Sequence, residues 1–188
     1  MNKNFSCNNQ GKRKDSDFYE TPYSITKHLL KNETFDGSIL EPAVGNGAIS
    51  RFITNCISYD KEFNFFNEVN NYDNIITNPP FSLAYEFILH AKKIANKKIV
   101  MLLPLSYLHG KKRFDNIYND KIFPLSKIYV FTRYPLLGEK LREDGKYNTG
   151  MMVYAWYVWD KEYKGEPIIK WIDNHNDILK KIKYKCNS

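Results

Sequence analysis

The segment that most constrains the fold is the apolar run KKIVMLLPLSYL, residues 97–108. Every side chain from Ile99 to Leu103 is apolar, so a strand formed here would bury both of its faces. Such strands are typical of a parallel sheet that is covered by helices on both sides. The segment LAYEFILHAKKIA, residues 83–95, comes directly before it and has apolar residues at helical spacing. A helix followed by a doubly buried strand predicts an α/β fold.

Further strands and helices alternate along the chain, as expected for a doubly wound sheet. The sequence predicts a helix that begins with Thr21 as its N-cap and Pro22 at its first helical position. It predicts another helix from about Ala48, and a polar helix or turn over residues 111–120. The other predicted strands lie in the segments GSILEP, CISYD, NIIT, LSKIYVFT and GMMVYAWYVWD.

Polar chemistry follows three of these strands, at the edge where an open parallel sheet binds its ligands. Glu41 is followed by a turn with Gly45 and Gly47, and glycines let a backbone pass close to a ligand. Asp60 ends the next strand and could accept both hydroxyls of a ribose. Asn78 follows the third strand. The glycine turn lacks the dinucleotide GxGxxG pattern and the lysine of a phosphate loop, so the sequence does not favour a phosphate cradle.

The turn Asn78-Pro79-Pro80-Phe81 is unusually rigid for a connection between a strand and a helix. Two prolines remove two backbone donors, fix two φ angles and push the preceding residues out of the helical region. The turn therefore presents an amide and an aromatic ring on stiff, extended backbone. Taken alone, the stretch also fits a simple connector with Phe81 in the core.

Composition limits the classes of protein to consider. The 188 residues are enough for one domain with a real core, and no apolar run is long enough to span a bilayer. The three cysteines are far apart and the four histidines lack metal-ligand spacing, so we expect free thiols in a reducing cytoplasm and no metal. The net charge of +7 is compatible with a polyanionic partner. We expect a disordered basic lead-in over residues 1–16, one domain over 17–175 and a basic tail over 176–188.

Taken together, these motifs give the chain a family resemblance. It resembles the adenine-N6 DNA methyltransferases that use S-adenosylmethionine, of the small phage and prophage Dam-like type. ILEPAVGNG is similar to the cofactor loop of that family, NPPF to its catalytic (D/N/S)PP(Y/F) motif, and DFYETP to its N-terminal cofactor-contact motif. PLSKIYVFTRYPLLG and YAWYVWDKEYKGEPIIKW resemble later segments of the phage subgroup, so the resemblance covers most of residues 17–173. It implies a Rossmann-like class I methyltransferase fold, with a mostly parallel doubly wound sheet and an antiparallel C-terminal strand.

The resemblance also implies roles for individual residues, with S-adenosylmethionine as cofactor. Asn64 stands where the family often has an Asp that meets the adenine amine of the cofactor, and an Asn can accept the same hydrogen bond. The implied cofactor-binding residues are Tyr19, Thr21, Pro22, Glu41, Ala43, Gly45, Gly47, Asp60, Asn64 and Asn78. The implied catalytic residues are Asn78, Pro79, Pro80 and Phe81.

The implied chemistry explains why the turn is rigid. The exocyclic amine of adenine is a poor nucleophile because its lone pair is delocalised into the ring. The side-chain oxygen of Asn78 and the carbonyl of Pro79 would accept hydrogen bonds from that amine and favour its pyramidal form, with no reorganisation of the turn. Phe81 would stack on the base after it flips out of the duplex. A sulfonium leaving group needs no general base, in accord with the lack of a histidine or carboxylate paired with the motif.

Two features depart from larger members of the family. Only 12 residues separate Asp60 from Asp73, so the usual third strand and its crossover helix are expected to be truncated. No segment is long enough for a separate target-recognition domain, and a homodimer or a separate recognition subunit could supply that function. Basic residues interleaved with aromatic residues are the predicted nucleic-acid contacts. They are Lys111, Lys112, Arg113, Arg133, Lys140, Arg142 and Lys146.

Duplex DNA is the favoured partner, and two alternatives stay open. The NPP(Y/F) motif also occurs in RNA adenine and protein glutamine methyltransferases, although a glutamine enzyme should carry an extra substrate-binding domain. A protein of a different class would use the same fold to hold nucleic acid without catalysis. The intact motif residues speak against such decay, and a binding-only module should show no thermal shift with S-adenosylmethionine.

Overall fold

The computed structural model describes residues 21–59, 63–132 and 153–174. Its strands are β1 (Ile39–Glu41), β2 (Cys56–Ser58), β3 (Tyr72–Thr77), β4 (Ala95–Pro104), β5 (Leu125–Phe131), β6 (Tyr154–Asp160) and β7 (Ile168–Ile172). They form one seven-stranded sheet in the order β2-β1-β3-β4-β6-β5-β7. Of these strands, β6 runs antiparallel to its neighbours β4 and β5, and the other pairs are parallel. The predicted α/β fold, with a mostly parallel sheet and an antiparallel strand in the C-terminal part of the chain, is confirmed: that strand is β6, and β7, which follows it, is parallel to β5.

Several residues singled out in the sequence lie outside the described residues, and their roles stay predictions. They are Tyr19, Asp60, Arg133, Lys140, Arg142 and Lys146. The expected lead-in over residues 1–16 and tail over 176–188 also lie outside, so the domain boundaries stay predictions as well.

Helices α1 (Tyr23–Asn32) and α2 (Ala84–Ile94) belong to two separate buried clusters on either side of the sheet. Ile25 of α1 shares one cluster with Val100 and Leu102, and Phe87 of α2 shares the other with Ile99, Met101 and Leu103. Alternate residues of β4 therefore enter opposite clusters, as expected for a strand whose side chains alternate between faces. The predicted doubly buried central strand is confirmed. Within the described residues, no helix is both long and apolar enough to cross a bilayer.

The helix predicted from about Ala48 is wrong. The structure has only a 3₁₀ turn there, over Ser50–Phe52. Ile53 is already extended, with φ −122° and ψ 114°, and Asn55 has a left-handed φ of 60°. Residues 42–55 are all that connects β1 to β2, and the glycine turn uses the first of them. The remaining chain is too short for several helical turns and the return to the sheet.

The predicted truncation after β2 agrees with the structure. In the described part of the connection from β2 to β3, residues 59 and 63–71, there is a 3₁₀ turn over Phe65–Asn67 and no strand. β2 therefore lies at one edge of the sheet.

Two other segments take forms that the sequence did not specify. The polar segment 111–120 forms a short helix, α3 (Lys111–Arg113), which continues as a π-helical turn over Phe114–Tyr118. β7 was not predicted, because its residues do not alternate between apolar and polar. Only its last residue, Ile172, is buried in the structure. It pairs with β5 and forms the second edge of the sheet.

The end of α1 is anchored to the sheet by Glu33, a nearly buried carboxylate. Lys98 Nζ lies 3.0 Å from one carboxylate oxygen, and Lys127 Nζ lies 2.5 Å from the other. Tyr129 also donates a hydrogen bond to Glu33. Burial raises the pKa of Glu33, but the hydrogen bonds from these partners outweigh burial and hold the pKa below its usual value. This network ties α1 to β4 and β5, and so fixes the position of the helix whose other end leads into the site.

Replacing Gly37 by alanine is expected to lower the free energy of unfolding by about 2 kcal/mol, from left-handed strain and lost hydrogen bonds. Gly37 has a φ of 90°, and an added Cβ would lie 2.0 Å from Asp73 Oδ2. That oxygen accepts hydrogen bonds from the Ser38 amide and hydroxyl, at 2.9 and 3.2 Å, and the carboxylate would have to move. Urea unfolding measures the effect. In an Asp73→Ala background the penalty should shrink to the strain alone, and equal penalties in both backgrounds would contradict this account.

Candidate active site

β3 pairs in parallel with both β1 and β4, so the carboxyl ends of these three strands lie together. We call this the ligand-binding edge of the sheet, as distinct from its outermost strands, β2 and β7. Three loops leave the sheet at this edge. They are the glycine turn after Glu41, the turn Asn78–Phe81 and the turn Leu105–Leu108. In open parallel sheets, this edge is where ligands bind.

Asn78 and Thr21, 57 residues apart in the sequence, are joined by a hydrogen bond at this edge. Asn78 Nδ2 donates to Thr21 Oγ1 over 3.0 Å. The prediction that Thr21 is an N-cap is therefore wrong by one position. Pro22 occupies the N-cap with extended backbone and α1 begins at Tyr23. Thr21 is a buried residue, 6% exposed, and its hydroxyl contacts Asn78 instead of capping the helix. The NPPF turn and the residue before the first helix thus belong to one site.

The double-proline turn has the extended backbone that the sequence predicted. Pro79 is buried, and Pro80 has φ −55° and ψ 124°. The carbonyl of Pro80 accepts a hydrogen bond of 2.9 Å from the amide of Leu83, which starts a 3₁₀ turn that leads into α2. Asn78 is therefore held between a buried strand and a helix.

Phe81 lies against Tyr154, the first residue of β6. Their ring centroids are 5.3 Å apart and their planes differ by 22°, so the rings are stacked. Both side chains are half-buried. Phe81 is therefore only partly in the core, and its catalytic role stays a prediction. Tyr154 was not singled out in the sequence, because nothing in its aromatic-rich strand distinguishes it from its neighbours.

Glu41 is a buried carboxylate, 1% exposed, at the end of β1. Its Oε2 accepts a hydrogen bond of 2.8 Å from the Ser50 amide. Burial raises the pKa of Glu41 to about 7, and the hydrogen bonds from Ser50 only partly oppose this. The described residues form no salt bridge with Glu41. The site therefore contains a carboxyl group that is costly to ionise until a cation or a strong donor approaches it.

The glycine turn curls away from the sheet directly after Glu41. Gly45 and Gly47 have φ values of 53° and 70°, which glycine adopts without strain. The amide of Val44 donates to the carbonyl of Tyr59 over 3.0 Å, and the amide of Tyr59 donates to the carbonyl of Glu41 over 3.1 Å. These bonds bring the end of β2 beside the turn. Ala43 is half-buried and Gly45 is exposed.

Asn64 has a local partner in the structure. Its side-chain oxygen accepts a hydrogen bond of 3.1 Å from the Phe66 amide and caps the 3₁₀ turn Phe65–Asn67. The contact between Asn64 and the cofactor stays a prediction.

The predicted nucleic-acid contacts Lys111, Lys112 and Arg113 lie on α3, just after the turn that follows β4. Lys111 forms an ion pair with Asp115. Lys112 Nζ lies 3.9 Å from the centroid of the Tyr85 ring, and the Arg113 guanidinium lies 4.6 Å from the centroid of the Tyr107 ring. Because Tyr85 belongs to the first turn of α2, Lys112 is held close to the NPPF turn.

Tyr107 is a second residue that the sequence did not assign to the cofactor or the catalytic turn. Within the described part of the chain, its buried hydroxyl has no hydrogen-bond partner. Burial raises the pKa of Tyr107 to about 12, so the phenol stays protonated at neutral pH. The phenol therefore keeps its proton as a hydrogen-bond donor.

No site for a metal ion is evident in residues 21–59, 63–132 and 153–174, where no three His, Cys, Asp or Glu side chains form a suitable group.

Comparison with solved structures identifies the fold. A proposed RNA methyltransferase from Pyrococcus horikoshii is 14% identical over 76% of this chain and 86% of its own, with a TM-score of 0.53. The ATP-dependent type ISP restriction-modification enzyme LlaBIII, solved bound to DNA, is 12% identical over 87% of this chain, with a TM-score of 0.50. The chain spans only 20% of LlaBIII. No protein-family model matches the sequence, and no curated protein is significantly similar to it. The fold is therefore that of the Rossmann-like methyltransferases.

Proposed function

We propose that this protein transfers a methyl group from S-adenosylmethionine to the N6 amine of adenine in DNA. The observation that carries the proposal is the hydrogen bond from Asn78 Nδ2 to Thr21 Oγ1, at the ligand-binding edge of a methyltransferase fold. In the structure this bond is made by the amide nitrogen, so the side-chain carbonyl of Asn78 is the group that would accept from a substrate amine. A fixed acceptor after a double-proline turn suits an amine nucleophile.

The residues at the end of β1 fit S-adenosylmethionine. Its methionine part carries an ammonium group, and a buried carboxyl such as Glu41, 1% exposed and without a salt bridge in the described chain, would ionise readily beside a cation. Gly45 and Gly47 let the backbone approach the cofactor closely. Thr21, Pro22, Ala43, Asn64 and Asn78, with Tyr19 and Asp60, complete the proposed contacts. When bound, the cofactor supplies an activated methyl group on a sulfonium.

The chain's own residues would position the base and its amine. The carbonyl oxygens of Asn78 and Pro79 accept hydrogen bonds from the N6 amine and favour its pyramidal form. These two acceptors would hold the amine nitrogen toward the methyl group that the bound cofactor supplies. The excess proton leaves after transfer, so no general base is required. The rate enhancement comes mainly from positioning.

The pair Phe81 and Tyr154 would receive the flipped adenine. A flipped base costs a few kcal/mol to unstack, and a stack on an aromatic ring returns about 1–3 kcal/mol. The rings already lie nearly parallel, with centroids 5.3 Å apart. A base inserted between them needs about twice the usual stacking distance, so the pair must separate for a sandwich, or the base must stack on the outer face of Phe81.

The charge near the turn supports a nucleic-acid substrate. Lys112 and Arg113 lie on aromatic rings beside the turn, where they could hold the phosphates that flank the flipped base. Lys111, Arg133, Lys140, Arg142 and Lys146 would extend this surface. A homodimer or a separate recognition subunit would select the DNA site.

Methyl transfer from radiolabelled S-adenosylmethionine to unmethylated duplex DNA tests the proposal, with single-stranded DNA and RNA in parallel. We expect label in N6-methyladenine of DNA. Label only in RNA, the substrate class of the proposed enzyme from Pyrococcus horikoshii, would keep the mechanism and change the substrate. Bound cofactor without label in any nucleic acid would contradict nucleic-acid methylation by this chain alone.

A further inference from the structure

The side chain of Arg51 makes two hydrogen bonds to the glycine turn. Its Nε donates to the carbonyl of Gly47 over 2.7 Å, and its Nη2 donates to the carbonyl of Asn46 over 2.7 Å. A guanidinium fork is suited to such two-point contacts because its donors have fixed geometry. Two successive carbonyls of the turn are therefore held by one side chain.

This contact replaces hydrogen bonds that the backbone does not supply well. A helix after the turn would satisfy these carbonyls with its own amides, but the chain forms only the 3₁₀ turn Ser50–Phe52. The Arg51 amide reaches the Gly47 carbonyl over 3.4 Å, at the long limit of a hydrogen bond. The guanidinium contacts are shorter by 0.7 Å and are charge-assisted.

The same guanidinium connects the glycine turn to α1. Its central carbon lies 4.3 Å from the centroid of the Tyr23 ring. Tyr23 is the first residue of α1, and it follows Pro22 and Thr21, whose hydroxyl accepts from Asn78. Arg51 thus joins the turn after β1 to the segment that orients Asn78.

We propose that Arg51 is a positioning residue that sets the conformation of the glycine turn for cofactor binding, in place of the missing helix. The inference rests on the proposed function for the identity of the ligand. It predicts that Arg51 acts on cofactor affinity without touching the reacting atoms. Because Arg51 is exposed and lies outside the two buried clusters, its loss should affect the turn more than the fold.

The test compares Arg51→Met, Arg51→Lys and Lys27→Met with the unchanged protein. Lys27 is a matched control, because its Nζ lies 5.1 Å from the ring of Phe52 and makes a similar exposed cation–π contact without gripping the turn. Calorimetric titration gives the Kd for S-adenosylmethionine, and methylation assays give kcat and the KM for each substrate. We expect Arg51→Met to raise the Kd and the cofactor KM about 10-fold, with kcat and the DNA KM within twofold. Arg51→Lys should recover part of the affinity, and Lys27→Met should match the unchanged protein.

Each outcome separates this inference from the proposed function. Normal cofactor affinity in Arg51→Met, with DNA still methylated, would overturn the role of Arg51 and leave the function standing. Suppose that Arg51→Met binds the cofactor weakly, the other proteins bind it normally, and none of them methylates nucleic acid. That result would support the role of Arg51 and contradict the proposed function. Equal losses in Arg51→Met and Lys27→Met would overturn the role, and so would a lack of cofactor binding by the unchanged protein. If Arg51→Met does not fold, Arg51→Lys provides the same comparison.

Discussion

Replacing Asn78 by alanine is expected to lower the rate of methyl transfer at least 100-fold, roughly the cost of removing one fixed polar group that stabilises a transition state. The change removes the carbonyl that would accept from the adenine amine. It also removes the 3.0 Å bond to Thr21 that orients it. The measurement is a single-turnover rate at saturating cofactor and DNA, so weaker binding of either one does not change the measured rate.

Asn32→Ala is the matched control for this prediction. Asn32 lies at the other end of α1, where its amide nitrogen donates to the His28 carbonyl over 2.8 Å on an exposed surface. Asn32→Ala should leave the rate of methyl transfer unchanged. An Asn78→Ala protein that binds cofactor and keeps more than a tenth of the rate would contradict the catalytic role of Asn78.

Replacing Glu41 by glutamine is expected to stabilise the cofactor-free protein above pH 7 and to weaken its binding of S-adenosylmethionine. Burial raises the pKa of Glu41 from 4.5 to about 7 in the folded protein. Between these values the unfolded chain binds fewer protons than the folded one, so stability is full below pH 4.5 and falls as pH rises through 7. The loss amounts to about 3 kcal/mol at most, at 1.36 kcal/mol for each pKa unit.

Glutamine removes this pH-dependent loss because it stays neutral. It can still accept the hydrogen bond from the Ser50 amide. Urea unfolding at pH 5 and pH 8.5 should therefore show a gain at the higher pH and little change at the lower. Glu162→Gln, on an exposed turn, is the matched control and should show neither effect.

The opposite signs of the two effects make the Glu41 prediction specific. A residue that only supports the fold would lose stability and affinity together, whereas a carboxyl held for a cationic ligand should lose affinity as the empty protein gains stability. Calorimetric titration gives the affinity at each pH. A Glu41→Gln protein that binds the cofactor normally, or that is less stable at pH 8.5, would contradict the proposed role of Glu41.

The sequence by itself determined features that depend on local backbone chemistry and on the period of apolar residues. As a strand, the run Ile99–Leu103 removes its apolar side chains from water only if both of its faces are buried. β4 is buried in this way at the centre of the sheet. The prolines of the NPPF turn fix their own φ angles, so the turn is stiff in any tertiary context. The apolar segments before Glu41 and Asn78 predicted strands, so these two residues were correctly placed at the carboxyl ends of parallel strands.

Only the tertiary structure decided how these local features meet. The Thr21 hydroxyl could have capped its own helix, but packing of α1 against the sheet turns it to Asn78. Residues after Gly47 have helical spacing, yet the short connection to β2 permits one 3₁₀ turn and leaves Arg51 to hold the glycine turn. The first outcome depends on a contact between distant segments, and the second depends on the pairing of β2 with β1, which limits the length of the connection. Neither contact has a period or motif in the sequence. Local sequence determined the backbone of the NPPF turn, and long-range packing determined what surrounds it.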